Sequence, residues 1–151
     1  MAIIVTLPDE YGYVLLATVS TFFVNVFHSL NTGAQRKASG VKYPAAYASQ
    51  EVAEKDPKAF AFNCAQRAHA NFTENLTPAI GAMLIAGLKY PVLAGALGGL
   101  WSLSRVFYTI GYTKGGPQGR TKFAVVSSLS LLTLKLTAAY TAVQIAFAGK
   151  Y

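Results

Sequence analysis

The chain has few of the residues that build disulfide frameworks and metal centres. Its 151 residues include one cysteine, Cys64, and two histidines, His28 and His69. A single cysteine excludes an internal disulfide and a multi-cysteine metal site, and two histidines are too few for a histidine cluster, so we expect no metal. The first five residues contain no lysine or arginine, and we therefore expect no cleaved signal peptide.

Charged residues are scarce as well. They make up 13% of the chain, whereas hydrophobic residues make up 53%; a soluble domain usually has about 25% charged residues. The formal net charge is +7, but the basic residues lie beside apolar segments rather than along one soluble face, which argues against nucleic acid as a partner. This composition indicates an integral membrane protein with a single domain over residues 1–151.

Four apolar segments have about the length of 20 residues that one bilayer crossing needs. We expect helices at about 11–31, 60–90, 91–112 and 123–148, which form an all-α bundle of four transmembrane helices. The loops between them at 31–59 and 113–122 hold most of the lysine and arginine. By the positive-inside rule both loops face the cytosol.

The most polar helical segment lies at the start of the second span, over residues 63–78. Steps of four and three place its polar residues on one stripe of the helix. Such a stripe is poorly suited to lipid and requires a polar partner or a polar ligand. The stripe consists of Asn63, Arg67, Asn71, Glu74, Asn75 and Pro78.

Other polar residues lie at the same cytosolic end of the bundle: Arg36, Tyr108, Tyr112 and Arg120. We therefore expect one cytosol-facing site. The two tyrosines also suit an interfacial aromatic belt, and Arg36 suits topological anchoring at the lipid headgroups. Both interpretations remain open at this point.

This set of side chains suits a small ligand with carboxylates, an amine and peptide bonds, and glutathione is one such ligand. Arginine binds both oxygens of a carboxylate, Glu74 could hold an ammonium group, and Asn71 could bind peptide groups. An arginine beside a thiol lowers the pKa of that thiol because it stabilises the reactive thiolate. The protein then needs no nucleophile of its own, and Cys64 is a weak candidate for one because it lies in an apolar turn.

Lys135 lies near the centre of the fourth span. A charge at that depth is costly unless it is paired or reaches the interface. Glu74 is one candidate partner.

At these residues the chain resembles a known family. The segment 67–78, RAHANFTENLTP, is similar to the R-A-H-x-N-x-x-E-N-x-x-P signature of the MAPEG proteins, which are membrane-associated proteins in eicosanoid and glutathione metabolism. Segments 41–44, 62–69 and 105–112 resemble the microsomal glutathione S-transferase 3 branch of that family. The similarity extends from about Glu10 to Arg120.

The resemblance implies a homotrimer that binds glutathione, its co-substrate, between neighbouring subunits near the cytosolic face. His69 would come from the adjacent subunit, Asn75 stands where some relatives have tyrosine, and Arg36 or Gln35 would lie at the ligand's carboxylate end. The remaining glutathione contacts that the resemblance implies are Arg67, Asn71, Glu74, Tyr108 and Tyr112.

Arg120 matches the arginine that stabilises the thiolate in relatives and is therefore the expected catalytic residue. The inserted glycines and proline at 115–117 leave the alignment before Arg120 open by about one residue, so Arg105 and Lys122 are the other candidates.

The implied reaction is attack of the glutathione thiolate on a lipophilic electrophile from the bilayer, or reduction of a lipid hydroperoxide. Conjugation of leukotriene A4 is a third possibility. The implied location is the endoplasmic reticulum membrane, with the outer mitochondrial membrane as the alternative. A non-catalytic family member that presents lipids to another enzyme is the second hypothesis, and a small channel or transporter is the third.

Overall fold

The computed structural model describes residues 6–147, and these residues form helices joined by short connections. No strand occurs in this part of the chain, which confirms the all-α prediction for it. The short second helix was not expected from the sequence. In chain order the helices are α1 (Tyr11–Ser39), α2 (Gln50–Lys55), α3 (Pro57–Gly87), α4 (Pro91–Gly119) and α5 (Thr121–Ala146).

The helix ends follow from local sequence. Asp56 caps α3 by accepting a hydrogen bond from the Lys58 backbone N–H at 2.9 Å, and Pro57 occupies the first turn, where its missing N–H costs nothing. Gly40 ends α1 in the left-handed region at φ 69°, and its N–H donates to the Arg36 carbonyl at 3.1 Å.

The structure corrects both loops expected on the cytosolic side. The loop predicted over 31–59 is helical up to Ser39, because no residue before Gly40 stops α1. The loop predicted over 113–122 is mostly helical too, with one break at Gly116, where φ is 62° and ψ is −156°. At 29 residues α1 is about 44 Å long, which exceeds a hydrocarbon core of about 30 Å. The helix α1 is therefore longer than its apolar segment.

The helices α3 and α4 occupy the centre of the bundle. Each contacts both α1 and α5, whereas α1 and α5 do not contact each other among the residues described. Three aromatic rings stack at the centre of the bundle. The Phe72 ring lies 4.7 Å from the His28 ring and 5.6 Å from the Trp101 ring, measured between ring centres. The buried face of α3 is rich in alanine, which lets neighbouring helices approach closely.

The outer helices expose many large apolar side chains. Leu16 and Phe23 on α1 and Leu129 and Leu136 on α5 are all more than half exposed. Within residues 6–147, α1 and α5 are the helices long and apolar enough to cross a membrane. Contiguous apolar surface of this kind requires lipid or another protein to cover it.

The turn between α4 and α5 requires a glycine at position 111. A Cβ atom added to Gly111 would overlap the backbone carbonyl of Gly119, which cannot move as a side chain does. We expect Gly111→Ala to lower the thermal midpoint of the detergent-solubilised protein by about 5–10 °C. Gly99→Ala is the matched control, because an added Cβ there meets no atom within 4 Å. Equal midpoints for the two variants would contradict the close approach.

Candidate functional site

The polar stripe of α3 is partly engaged within the chain. Arg67 donates to Glu74 at 3.1 Å, and both side chains are about half exposed. Asn75 donates to the Asn71 backbone carbonyl at 2.8 Å. The Asn63 side chain is occupied by backbone contacts. Its Oδ1 atom accepts a hydrogen bond from the Ala48 N–H at 2.8 Å, and its Nδ2 atom donates to the Ala48 carbonyl at 3.0 Å. Asn63 therefore holds the α1–α2 connection and is not available to a ligand.

Arg105 on α4 is a buried cation beside this stripe. Its side chain is 3% exposed, it donates to the Asn71 Oδ1 atom at 2.9 Å, and its guanidinium carbon lies 4.2 Å from the centre of the Tyr108 ring. Its Nε atom has no hydrogen-bond partner, and no carboxylate among residues 6–147 forms an ion pair with it. A buried guanidinium without an anion is unfavourable, so the site is suited to receive one.

Arg120 contacts the same tyrosine, Tyr108, at its hydroxyl. It donates to the Tyr108 hydroxyl at 2.6 Å and stacks on Tyr112 at 4.4 Å from the ring centre. The two tyrosine rings meet edge to face at 5.9 Å. Arg105 therefore lies over the Tyr108 ring and Arg120 at its hydroxyl, and they bring two positive charges close together.

The end of α4 brings Arg120 to this position. The break at Gly116 and the close approach of Gly111 to Gly119 fold the chain back. Arg120, eight positions after Tyr112 in sequence, thereby returns to the tyrosine ring. The glycines and proline that obscure the sequence alignment before Arg120 are the residues that build the turn.

Two cavities open beside the tyrosines. We call the first the arginine cavity, with a volume of about 410 Å³. We call the second the loop cavity, with a volume of about 450 Å³, and Arg67, Tyr112, Cys64 and Tyr47 are among its lining residues. The arginine cavity is lined by Asn71, Arg105, Tyr108, Pro117, Arg120, Thr121, Ala124, Val125, Ser127 and Ser128.

Arg36 lies outside both cavities. Its guanidinium donates to the carbonyls of Ala45 at 2.8 Å and Val41 at 3.4 Å, and it lies between the rings of Tyr43 and Phe62, at 4.3 and 4.5 Å. Within one chain Arg36 therefore holds the connection after α1 against α3. Its predicted contact with a ligand stays a prediction.

Glu74, Asn75 and His69 also line neither cavity. The His69 ring lies 6.0 Å from the ring of His28, and its Nδ1 atom is buried without a partner among the residues described. His28 is fully buried, with its Nε2 atom 3.2 Å from the Arg105 carbonyl. The role of His69 toward a neighbouring subunit stays a prediction.

The sequence drew attention to Arg105 only as a substitute for Arg120. Its position three residues before Tyr108 places both on one face of a helix, and this spacing was the available signal. The hydroxyls of Ser127 and Ser128 in the cavity wall carried no signal, because serine is common in membrane helices.

A comparison with models of known protein families matches residues 14–140 to the MAPEG family. The chain belongs to the MAPEG family. This family includes glutathione transferases and related membrane enzymes. Membership and the apolar helices together make this a membrane protein with a function related to glutathione or eicosanoids. The glutathione contacts inferred for individual residues go beyond this result.

Proposed function

We propose that this MAPEG protein is a membrane-bound glutathione transferase with glutathione peroxidase activity. The thiolate of glutathione attacks a lipophilic electrophile, so that a sulfur–carbon bond forms and the displaced group leaves, or an epoxide oxygen takes up a proton. Leukotriene A4 is one such epoxide, and its conjugation would be leukotriene C4 synthase activity. With a lipid hydroperoxide, sulfur takes the terminal oxygen, the lipid leaves as an alcohol, and a second glutathione yields the disulfide and water.

The observation that carries this proposal is the charge of the arginine cavity. Arg105 and Arg120 both reach its wall, and none of its lining residues is acidic. Two guanidinium groups beside a phenol, one of them on the buried Arg105, stabilise an anion more strongly than they would in water. A thiolate is an anion of suitable size, and Arg120, which is less buried than Arg105, is the residue that we assign to it.

The two cavities suit two different parts of glutathione, a terminal carboxylate and the central cysteine. Arg67 in the loop cavity binds a glycyl or glutamyl carboxylate, and Glu74, its present partner at 3.1 Å, binds the ammonium group. Asn71 and Tyr108 in the arginine cavity then contact the cysteinyl part. Tyr112, which contacts Arg120 and lines the loop cavity, lies between these two parts.

The proposed assembly is a homotrimer with four transmembrane helices in each subunit. Arg36, His69 and Asn75 line neither cavity of their own chain, which is compatible with a site completed by a neighbouring subunit. The polar residues of α3 would then be covered by protein instead of lipid. We place the chain in the endoplasmic reticulum membrane, with the arginine site facing the cytosol, and keep the outer mitochondrial membrane as the alternative.

The alternative function is a non-catalytic scaffold that presents lipids to another enzyme. The apolar groove between α1 and α4, about 660 Å³ in volume and lined by residues such as Leu16, Val24 and Leu103, would suit that role. A scaffold has no need for two arginines in a cavity without an acidic residue, and for this reason we favour the enzyme. Lipid binding without any glutathione binding would favour the scaffold.

Arg67→Ala is expected to weaken glutathione binding about 10- to 100-fold, which corresponds to the loss of one hydrogen-bonded charge contact. Isothermal titration calorimetry of the purified protein measures the dissociation constant. Lys58→Ala is the matched control, because Lys58 is an exposed cation in the first turn of the same helix and lines neither cavity. An unaltered dissociation constant for Arg67→Ala would remove Arg67 from the binding site.

A further inference from the structure

A line of polar residues on α5 continues beyond the arginine cavity. Thr121, Ser128 and Lys135 are spaced seven positions apart, so they follow one line of the helix, because seven residues make almost two turns. Thr121 and Ser128 belong to the cavity wall. Lys135 lies one such step deeper, about 10 Å along the helix axis from Ser128.

The Ser128 hydroxyl differs from its neighbours. The hydroxyls of Ser127, Ser130, Thr133 and Thr137 each donate to a carbonyl of their own helix, which satisfies them in an apolar environment. Among residues 6–147, no hydrogen-bond partner is found for Ser128, although it lines the cavity. This hydroxyl can therefore bond to an oxygen atom of a ligand.

Lys135 is a cation without an anion at mid-membrane depth. Its side chain is exposed on α5 and forms no ion pair within the part of the chain described, and Glu74 is already paired with Arg67. The helix ends at Thr121 and Ala146 lie about 21 and 16 Å away along the axis. With 26 residues, α5 is about 39 Å long and exceeds a hydrocarbon core of about 30 Å. Lys135 remains inside that core, where an anion at its own depth stabilises the charge.

We propose that Lys135 binds the free carboxylate of a long-chain oxidised fatty acid whose reactive group lies in the arginine cavity. This inference rests on the proposed function, because it assigns the charged end of the lipid substrate. The separation of about 10 Å along α5 places the reactive group in the middle of the acyl chain rather than next to the carboxylate.

The substrate preference follows from this geometry. A free fatty acid offers a carboxylate to Lys135, whereas its methyl ester, or the same acid esterified in a phospholipid, does not. The protein is therefore selective for the free acid. Ser128 contributes a hydrogen bond to an oxygen atom on the chain, and this bond is common to acid and ester.

The test measures the binding of a hydroxylated long-chain fatty acid, and of its methyl ester, to the protein in lipid nanodiscs. Tryptophan fluorescence is the readout. We expect the wild-type protein to bind the acid about tenfold more tightly than the ester. Lys135→Met, which keeps length but removes charge, is expected to bind both equally, and Lys135→Arg to restore the preference. Thr137→Val, on the same helix, is the control and is expected to behave as wild type.

An unchanged preference in Lys135→Met would overturn the inference. So would a change in subunit number or thermal midpoint of Lys135→Met without a change in preference, because Lys135 would then pair with a carboxylate of a neighbouring subunit. Glutathione is absent from this binding experiment. A lost preference in Lys135→Met therefore supports the inference even where glutathione fails to bind, and the failure of glutathione binding would count against the proposed function alone.

Discussion

Arg120→Met is expected to lower the turnover with glutathione about 100- to 1000-fold, the usual effect of removing one donor that stabilises a reacting anion. Arg120 donates to Tyr108 at 2.6 Å and lies in the cavity where we place the sulfur atom. Without this guanidinium the pKa of the bound thiol rises, because the thiolate loses its nearest accessible cation. Glutathione affinity should fall less than turnover, since Arg67 and Asn71 remain.

The absorbance of the thiolate and the rate of conjugation together measure this effect. Arg120→Lys should retain part of the thiolate, because a charge remains without the fork of a guanidinium. Lys122→Met is the matched control: Lys122 is an exposed cation two residues further on and does not line the cavity. A full thiolate band in Arg120→Met would reject the catalytic assignment and leave Arg105 as the candidate.

Arg105→Met is expected to separate stability from ligand binding. Arg105 is a buried cation that donates to one amide oxygen and lies over one aromatic ring. Replacement of such a charge by an apolar side chain of similar length is often neutral or stabilising. We therefore expect an unchanged or higher thermal midpoint, together with a loss of glutathione affinity of about 100-fold, since a bound anion loses a buried partner.

Thermal unfolding and calorimetry on the same preparation measure the two effects. Ser104→Ala is the control, because Ser104 is the buried neighbour on α4 and its hydroxyl bonds its own helix at 2.7 Å. A large fall in the midpoint of Arg105→Met would indicate a structural role for Arg105. Retained affinity would exclude it from the anion site.

The fold was predictable where apolar length determines it. The long helices and their order follow from apolar segments separated by polar connections, and Pro91 begins α4 as expected of a residue without an N–H group. The helix ends were less predictable. Hydropathy locates the part of α1 that suits lipid, but Gly40 decides where the helix stops, and the eight residues before it remain helical although five of them are polar.

The candidate site was predictable to the extent that helical periodicity determines it. The four-residue spacing of Tyr108 and Tyr112 places them on one face, and α4 presents both at the site. The hydrogen bonds from Arg36 to the carbonyls of Val41 and Ala45 were not predictable, because they depend on the path of residues 41–48. The burial of Arg105 was not predictable either, since it depends on how α3 and α4 pack.

The central claim is that the arginine cavity binds glutathione and ionises its thiol. The most direct test is an ultraviolet difference titration of the detergent-purified protein with glutathione at neutral pH. We predict a saturable thiolate band in the wild-type protein that is lost in Arg120→Met. Saturable binding by calorimetry without that band would contradict thiolate formation in the cavity, and the absence of binding would contradict the enzymatic function and favour the lipid-presenting scaffold.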